Sequence, residues 1–87
     1  MNKEEIEKLK SKIIDFENKD VYVELQNAIQ YHFTIHNTKV FISNERLIIS
    51  DGKQDFIIEL HYLDSIKIEN FTIYINLDFD LKIVLDY

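Results

Sequence analysis

The period of the apolar pattern changes once along this chain, near residue 20, and no other feature constrains the fold as strongly. Before that point Ile6, Leu9, Ile13 and Phe16 recur at helical spacing, with Ile14 at the side of the stripe. Beyond it the period is two. Val21, Val23 and Leu25 alternate with Tyr22 and Glu24, and Ile29, Tyr31, Phe33 and Ile35 with Gln30, His32, Thr34 and His36. Phe56, Ile58 and Leu60, then Phe71, Ile73, Ile75 and Leu77, then Ile83 and Leu85 continue the same alternation. A period of two is that of strands with one buried face. No segment after residue 20 has the length of a crossover helix, so the strands must pair antiparallel.

Turn residues stand where the runs stop: Gln26-Asn27, Asn37-Thr38, Ser43-Asn44-Glu45, Asp51-Gly52, Asn70 and Asp78-Phe79-Asp80. With one Gly and no Pro in the chain, Asn must supply most left-handed turn positions. The expected fold is α+β and forms a single domain over 1–87. A helix over residues 2–18, capped by Asn2 with Glu5 completing a capping box, packs on a strongly bent antiparallel sheet or small barrel. About seven to eight strands fill residues 20–87. The expected core is Ile6, Leu9, Ile13, Phe16, Val23, Leu25, Phe33, Ile35, Leu47, Phe56, Ile58, Ile66, Ile68, Ile73, Ile75, Ile83 and Leu85, with Phe71 on the same apolar phase.

The block KVFISNERLIISDGKQDFIIELHYLDSIKIE, Lys39 to Glu69, resembles bacterial PH-like and GRAM-like domains in its strand–SNERL–strand turn and in the later IIELHYLDSIKIE. With a helix ahead of it, the same stretch also resembles Sm-like barrels. Either resemblance implies a small bent β domain, and an interaction module that self-associates through strand edges as a homodimer or ring. No binding residue comes with it, because Lys39, Arg46 and Lys53 are separated and interspersed with acids.

Composition removes most chemistry. The absence of Cys excludes disulfides, thiolate zinc sites and a cysteine nucleophile. A single Gly excludes every Gly-rich phosphate loop and the Gly-x-Ser-x-Gly elbow. His32 and His36, four apart on a strand, would stand about 13 Å apart, too far for one ion. The pair Asp78 and Asp80 lacks the oxygen count of a calcium loop. The expectation is therefore no enzyme, no metal and no cofactor. Residues 1–12 carry seven charges and hold no apolar stretch of signal-peptide length, which points to a cytoplasmic protein.

The charge balance then indicates a partner. Lys and Arg number 10 against 16 Asp and Glu, a net charge of −6. Residues 21–87 hold five bases and ten acids, so the strand region carries −5 of it. Such a field repels nucleic acid and anionic lipid and favours another protein with a basic surface. The expected binding residues are Glu24, Glu59, Glu69, Asp78, Asp80 and Asp86, on polar phases or turns, with Tyr74 and Phe79 as apolar anchors. Small size, acidity and missing catalytic motifs together suggest a non-catalytic inhibitor of phage or mobile-element type, such as an anti-CRISPR, anti-restriction or toxin-immunity protein.

Overall fold

The N-terminal stripe folds as a helix, over a shorter span than its spacing suggests. The computed structural model describes residues 3–27 and 29–87, so the expected cap, Asn2, lies outside the described residues. Helix α1 (Lys3–Ile13) buries Ile6, Leu9 and Ile13 and carries Glu4 and Glu5 in its first turn, where the helix dipole favours negative charge. The chain then tightens into a 3-10 turn over Ile14–Phe16, which buries Phe16. The α-helix therefore stops at Ile13 rather than at residue 18. Glu17 leaves helical geometry with ψ 133°, and its carboxylate accepts the Val40 N–H at 2.8 Å. Asn18 follows with φ 65°, the left-handed stop expected of it.

Eight strands follow: β1 (Val21–Gln26), β2 (Gln30–Ile35), β3 (Lys39–Ile42), β4 (Arg46–Ser50), β5 (Asp55–Glu59), β6 (Leu63–Glu69), β7 (Thr72–Leu77) and β8 (Lys82–Asp86). All of their pairings are antiparallel. The expected barrel is not formed. The strands divide into a five-stranded sheet, in the order β2-β1-β8-β7-β6, and a three-stranded sheet, β3-β4-β5, with no ladder joining them among the described residues. Both crossings between sheets leave strand geometry. Between β2 and β3, Asn37 takes φ 49° and the buried Thr38 hydroxyl donates to the Ile35 carbonyl at 3.1 Å. Between β5 and β6 the chain makes a second 3-10 turn, Leu60–Tyr62. Asn70 and Gly52 also have positive φ, at 52° and 91°, in the turns the sequence marks.

The core gathers the α1 stripe and Phe16 with the inner faces of both sheets: Val21, Val23, Ile35, Ile73, Ile75, Ile83 and Leu85 from the larger, and Leu47, Ile49 and Ile58 from the smaller. Four of the residues expected to be largely buried are not. Ile68 is exposed, because it sits near the end of edge strand β6 with a neighbour, Ile73, on one side only. Leu25, Phe33 and Phe56 are half-buried, and Ile29 and Tyr31, on the same apolar phase as Phe33, are 79% and 60% exposed. Phe71 is exposed as well. It lies in the turn ahead of β7, where its ring rests on Tyr87 at 5.4 Å. Among the described residues no helix is long and apolar enough to cross a membrane.

Candidate functional site

The turn between β7 and β8 is built to hold its side chains outward. Leu77 N–H donates to the Leu81 carbonyl at 2.9 Å, which closes the hairpin. Asp78 N–H donates to the Tyr62 carbonyl at 2.8 Å, which ties the tip to the 3-10 turn after β5. Asp80 takes φ 60°, a conformation Asp tolerates better than most residues. Asp78, Phe79 and Asp80 are all exposed. The Phe79 ring, 54% exposed, stands edge-on to Tyr62 with centroids 5.2 Å apart, and Tyr62 in turn lies against His61. Among the described residues neither Asp78 nor Asp80 has an ion-pair partner. The tip thus offers an aromatic edge between two unpaired carboxylates on an anchored backbone.

The remaining expected binding residues are more dispersed and more engaged. Register places Tyr22, Asp86, Thr72 and Glu69 in one row across the outer face of the five-stranded sheet, and His32, Glu24, Val84, Tyr74 and Lys67 in the next. Glu24, Tyr74, Asp86 and Glu69 therefore share a face. Their charges are largely answered from within. The Gln26 amide donates to Glu24, the Thr72 hydroxyl donates to Asp86 at 3.1 Å, and Lys67 pairs with Glu69 at 2.7 Å. Lys82 approaches the Tyr74 ring at 5.9 Å. Glu24, Tyr74 and Asp86 are half-buried rather than exposed, because neighbouring strands flank β1, β7 and β8 on both sides. Glu59 lies on the other sheet, half-buried, with Arg46 at 3.5 Å. His32 stacks on Tyr22, and His36 approaches Asp20 at 3.5 Å. Among the described residues no three His, Asp or Glu side chains converge as a metal would require.

Two sheets have four edges, and these edges are treated unequally. The Ile66 N–H on edge strand β6 donates to the Glu5 carboxylate at 2.8 Å. The Val40 N–H on edge strand β3 donates to Glu17, also at 2.8 Å. The N-terminal segment therefore covers β6 and β3. Among the described residues no side chain caps the edges of β2 and β5 in this way, and the half-buried apolar residues collect between them. Phe33 of β2 meets Phe56 of β5 edge-on at 5.5 Å. Both rings line a hollow of about 350 Å³ together with Tyr31, Asp51, Gln54 and Asp55. Phe56 also lines a second hollow, of about 210 Å³, with Leu25, Ile57, Glu59, Tyr62, Phe79 and Leu81 among others. The backbone N–H groups of Gln54 and Lys53 hold the Asp51 carboxyl below the usual carboxylate range, so the rim of the first hollow stays anionic.

This seam is the part of the surface that residue types alone do not mark. Its sequence signal is the uninterrupted run Phe56-Ile57-Ile58, which puts an apolar side chain on the outer phase of β5 as well as the inner. Comparison with protein-family models, with characterised proteins and with solved structures gives no match.

Proposed function

We propose that this chain is a small, acidic, non-catalytic protein-binding module that docks on a basic surface of another protein and occludes it. Such an action fits an inhibitor of phage or mobile-element type, whether anti-CRISPR, anti-restriction or toxin-immunity-like. The observation that carries the reading is the β7–β8 tip, where exposed Phe79 stands between two carboxylates that have no ion-pair partner among the described residues. An aromatic that can be fully desolvated, ringed by charges that steer approach, is the arrangement of a binding hot spot. The net charge of −6 supports a basic counterpart, and steering by such a field raises the association rate.

The test is affinity capture from the cells that express the chain, followed by titration of the captured protein against two variants. Asp78→Lys with Asp80→Lys removes steering, so it weakens binding strongly at low salt and much less at high salt, where charges are screened. Phe79→Ala removes an apolar anchor, so it weakens binding to a similar degree at both. Unchanged affinity in both folded variants would overturn this reading of the tip.

A further inference from the structure

We infer that the open edge of β5 takes up an extended segment of the partner as a ninth strand, and that this segment reads basic–apolar–apolar–apolar–basic. The inference rests on the protein-binding reading above and names the chemistry of the partner.

The edge is free by hydrogen-bond accounting. In the β4–β5 hairpin, Asp51 N–H donates to the Gln54 carbonyl and Leu60 N–H to the Glu45 carbonyl. Both pairs fit the register that sets Leu47 opposite Ile58 and Ile49 opposite Phe56. Hydrogen-bonded pairs alternate along an antiparallel ladder, so Phe56 and Ile58 bond to β4. The N–H and C=O groups of Asp55, Ile57 and Glu59 then point away from it. Natural edges are blunted by charged side chains, Lys above all, by Pro, by a bulge or by a covering element, and the charges of β5, Asp55 and Glu59, are acids that oppose an acidic edge and not a basic one. β5 contains no Pro or Lys, its register with β4 runs without a shift, and the segment that covers β3 and β6 lies elsewhere.

Both faces of β5 specify the side chains a new strand would need. Phe56 and Ile58 face inward over the two hollows of the seam, so residues opposite them bury well if apolar. On the outer face Ile57, 49% exposed, continues a row with Ile48 and the exposed Phe41, which asks for a third apolar residue. Asp55 and Glu59 flank that row, and opposite charges are favoured directly across a ladder.

The same two acids argue against a second copy as occupant. Antiparallel self-pairing centred on Ile57 would set each Asp55 opposite the Glu59 of the other copy, two like-charge pairs in one short ladder. Arg46 answers Glu59 in part; nothing among the described residues answers the Asp55 carboxylate.

The probe is a capped, dye-labelled peptide with Lys-Ile-Val-Ile-Lys at its centre, compared with one carrying Glu at both Lys positions. Fluorescence anisotropy reads affinity on the full chain, and amide hydrogen exchange reads the site. The expected result is binding of the Lys peptide roughly tenfold or more above the Glu peptide. With it, the amides of Asp55, Ile57 and Glu59 become protected while exchange elsewhere is unchanged. Ile57→Pro removes an outward N–H and leaves the β4 ladder whole, so it should fold and lose the peptide. Asp78→Lys with Asp80→Lys should leave those three amides protected by the peptide. No protection of the three amides at saturating peptide, or equal binding by Ile57→Pro, would overturn the inference. So would protection of the same amides in the free chain at concentrations where it sediments as a dimer, since the edge would then belong to a second copy. The protein-binding reading would survive these failures if the captured partner still responded to the tip variants, and it fails separately if the partner does not.

Discussion

Ile73 and Phe33 stand on the apolar phase of their strands, yet they occupy different surroundings. Ile73 is fully buried in β7, with Ile68 and Leu85 as its register partners. Phe33 belongs to edge strand β2 and is half-buried, with Phe56 and Tyr31 as its ring neighbours. Truncating a buried Ile to Ala costs about 2–5 kcal/mol, from lost transfer energy and the cavity left behind. A side chain already half in water loses proportionately less transfer energy and leaves no closed cavity. Urea denaturation should therefore show Ile73→Ala as the more destabilised variant, with Phe33→Ala costing about half as much. The phase of each residue could be read from the alternation in the sequence. The depth of burial could not, because alternation reports which side a residue faces and not whether a second layer reaches it.

Helix α1 and the turn after it act as edge covers as much as core layers. Glu5 accepts the Ile66 N–H, and that hydrogen bond, more than the nearby Lys8, holds its carboxyl below the ordinary value of 4.5. A carboxyl lowered in the folded state contributes stability that is present above its unfolded value and is lost as pH falls through the folded one. Urea midpoints measured downward from pH 5 should therefore decline. Asp20 and Asp51 are lowered too, by the backbone N–H of Asn37 with His36 and by those of Gln54 and Lys53, so Glu5→Ala should flatten the decline without abolishing it. At neutral pH the same variant leaves the buried Ile66 without its acceptor, a cost of about 1–3 kcal/mol. A variant whose midpoint and pH slope both match the parent would show that β6 needs no cover. In the sequence Glu5 reads as half of a capping box. Its partner 61 residues away belongs to the tertiary structure alone.

At the scale of the whole molecule the asymmetry is between a closed side, where the N-terminal segment covers β6 and β3, and an open side between β2 and β5. On the inference above, the acids at both ends of β5 oppose pairing of that open side with a second copy. Reversing one of them should remove the protection. In Asp55→Lys, self-pairing about Ile57 would set each new Lys opposite the Glu59 of the other copy, turning two repulsive pairs into two attractive ones. Sedimentation at increasing concentration should find this variant dimerising well below any concentration at which the parent does. Equal sedimentation of the two would mean that charge is not what holds β5 apart.

Local signals in the chain set the class of the fold and the phase of its elements. The change of period near residue 20 separates a helical stripe from alternating strands, and Asn18, Asn37 and Asn70 turn the chain at positive φ where they interrupt the pattern. Those signals are local, since side-chain period and left-handed tolerance belong to a few neighbouring residues. Tertiary structure decided how eight strands divide between two sheets, that no barrel closes, and which edges Glu5 and Glu17 reach. The candidate site divides in the same way. Asp78, Phe79 and Asp80 are legible as an acidic aromatic turn. The seam is not, because Leu25, Tyr31, Phe33 and Phe56 carry a core pattern and are left uncovered only by where the other layer ends. Apolar alternation states a demand for cover, and whether the chain meets that demand depends on contacts between residues far apart in sequence.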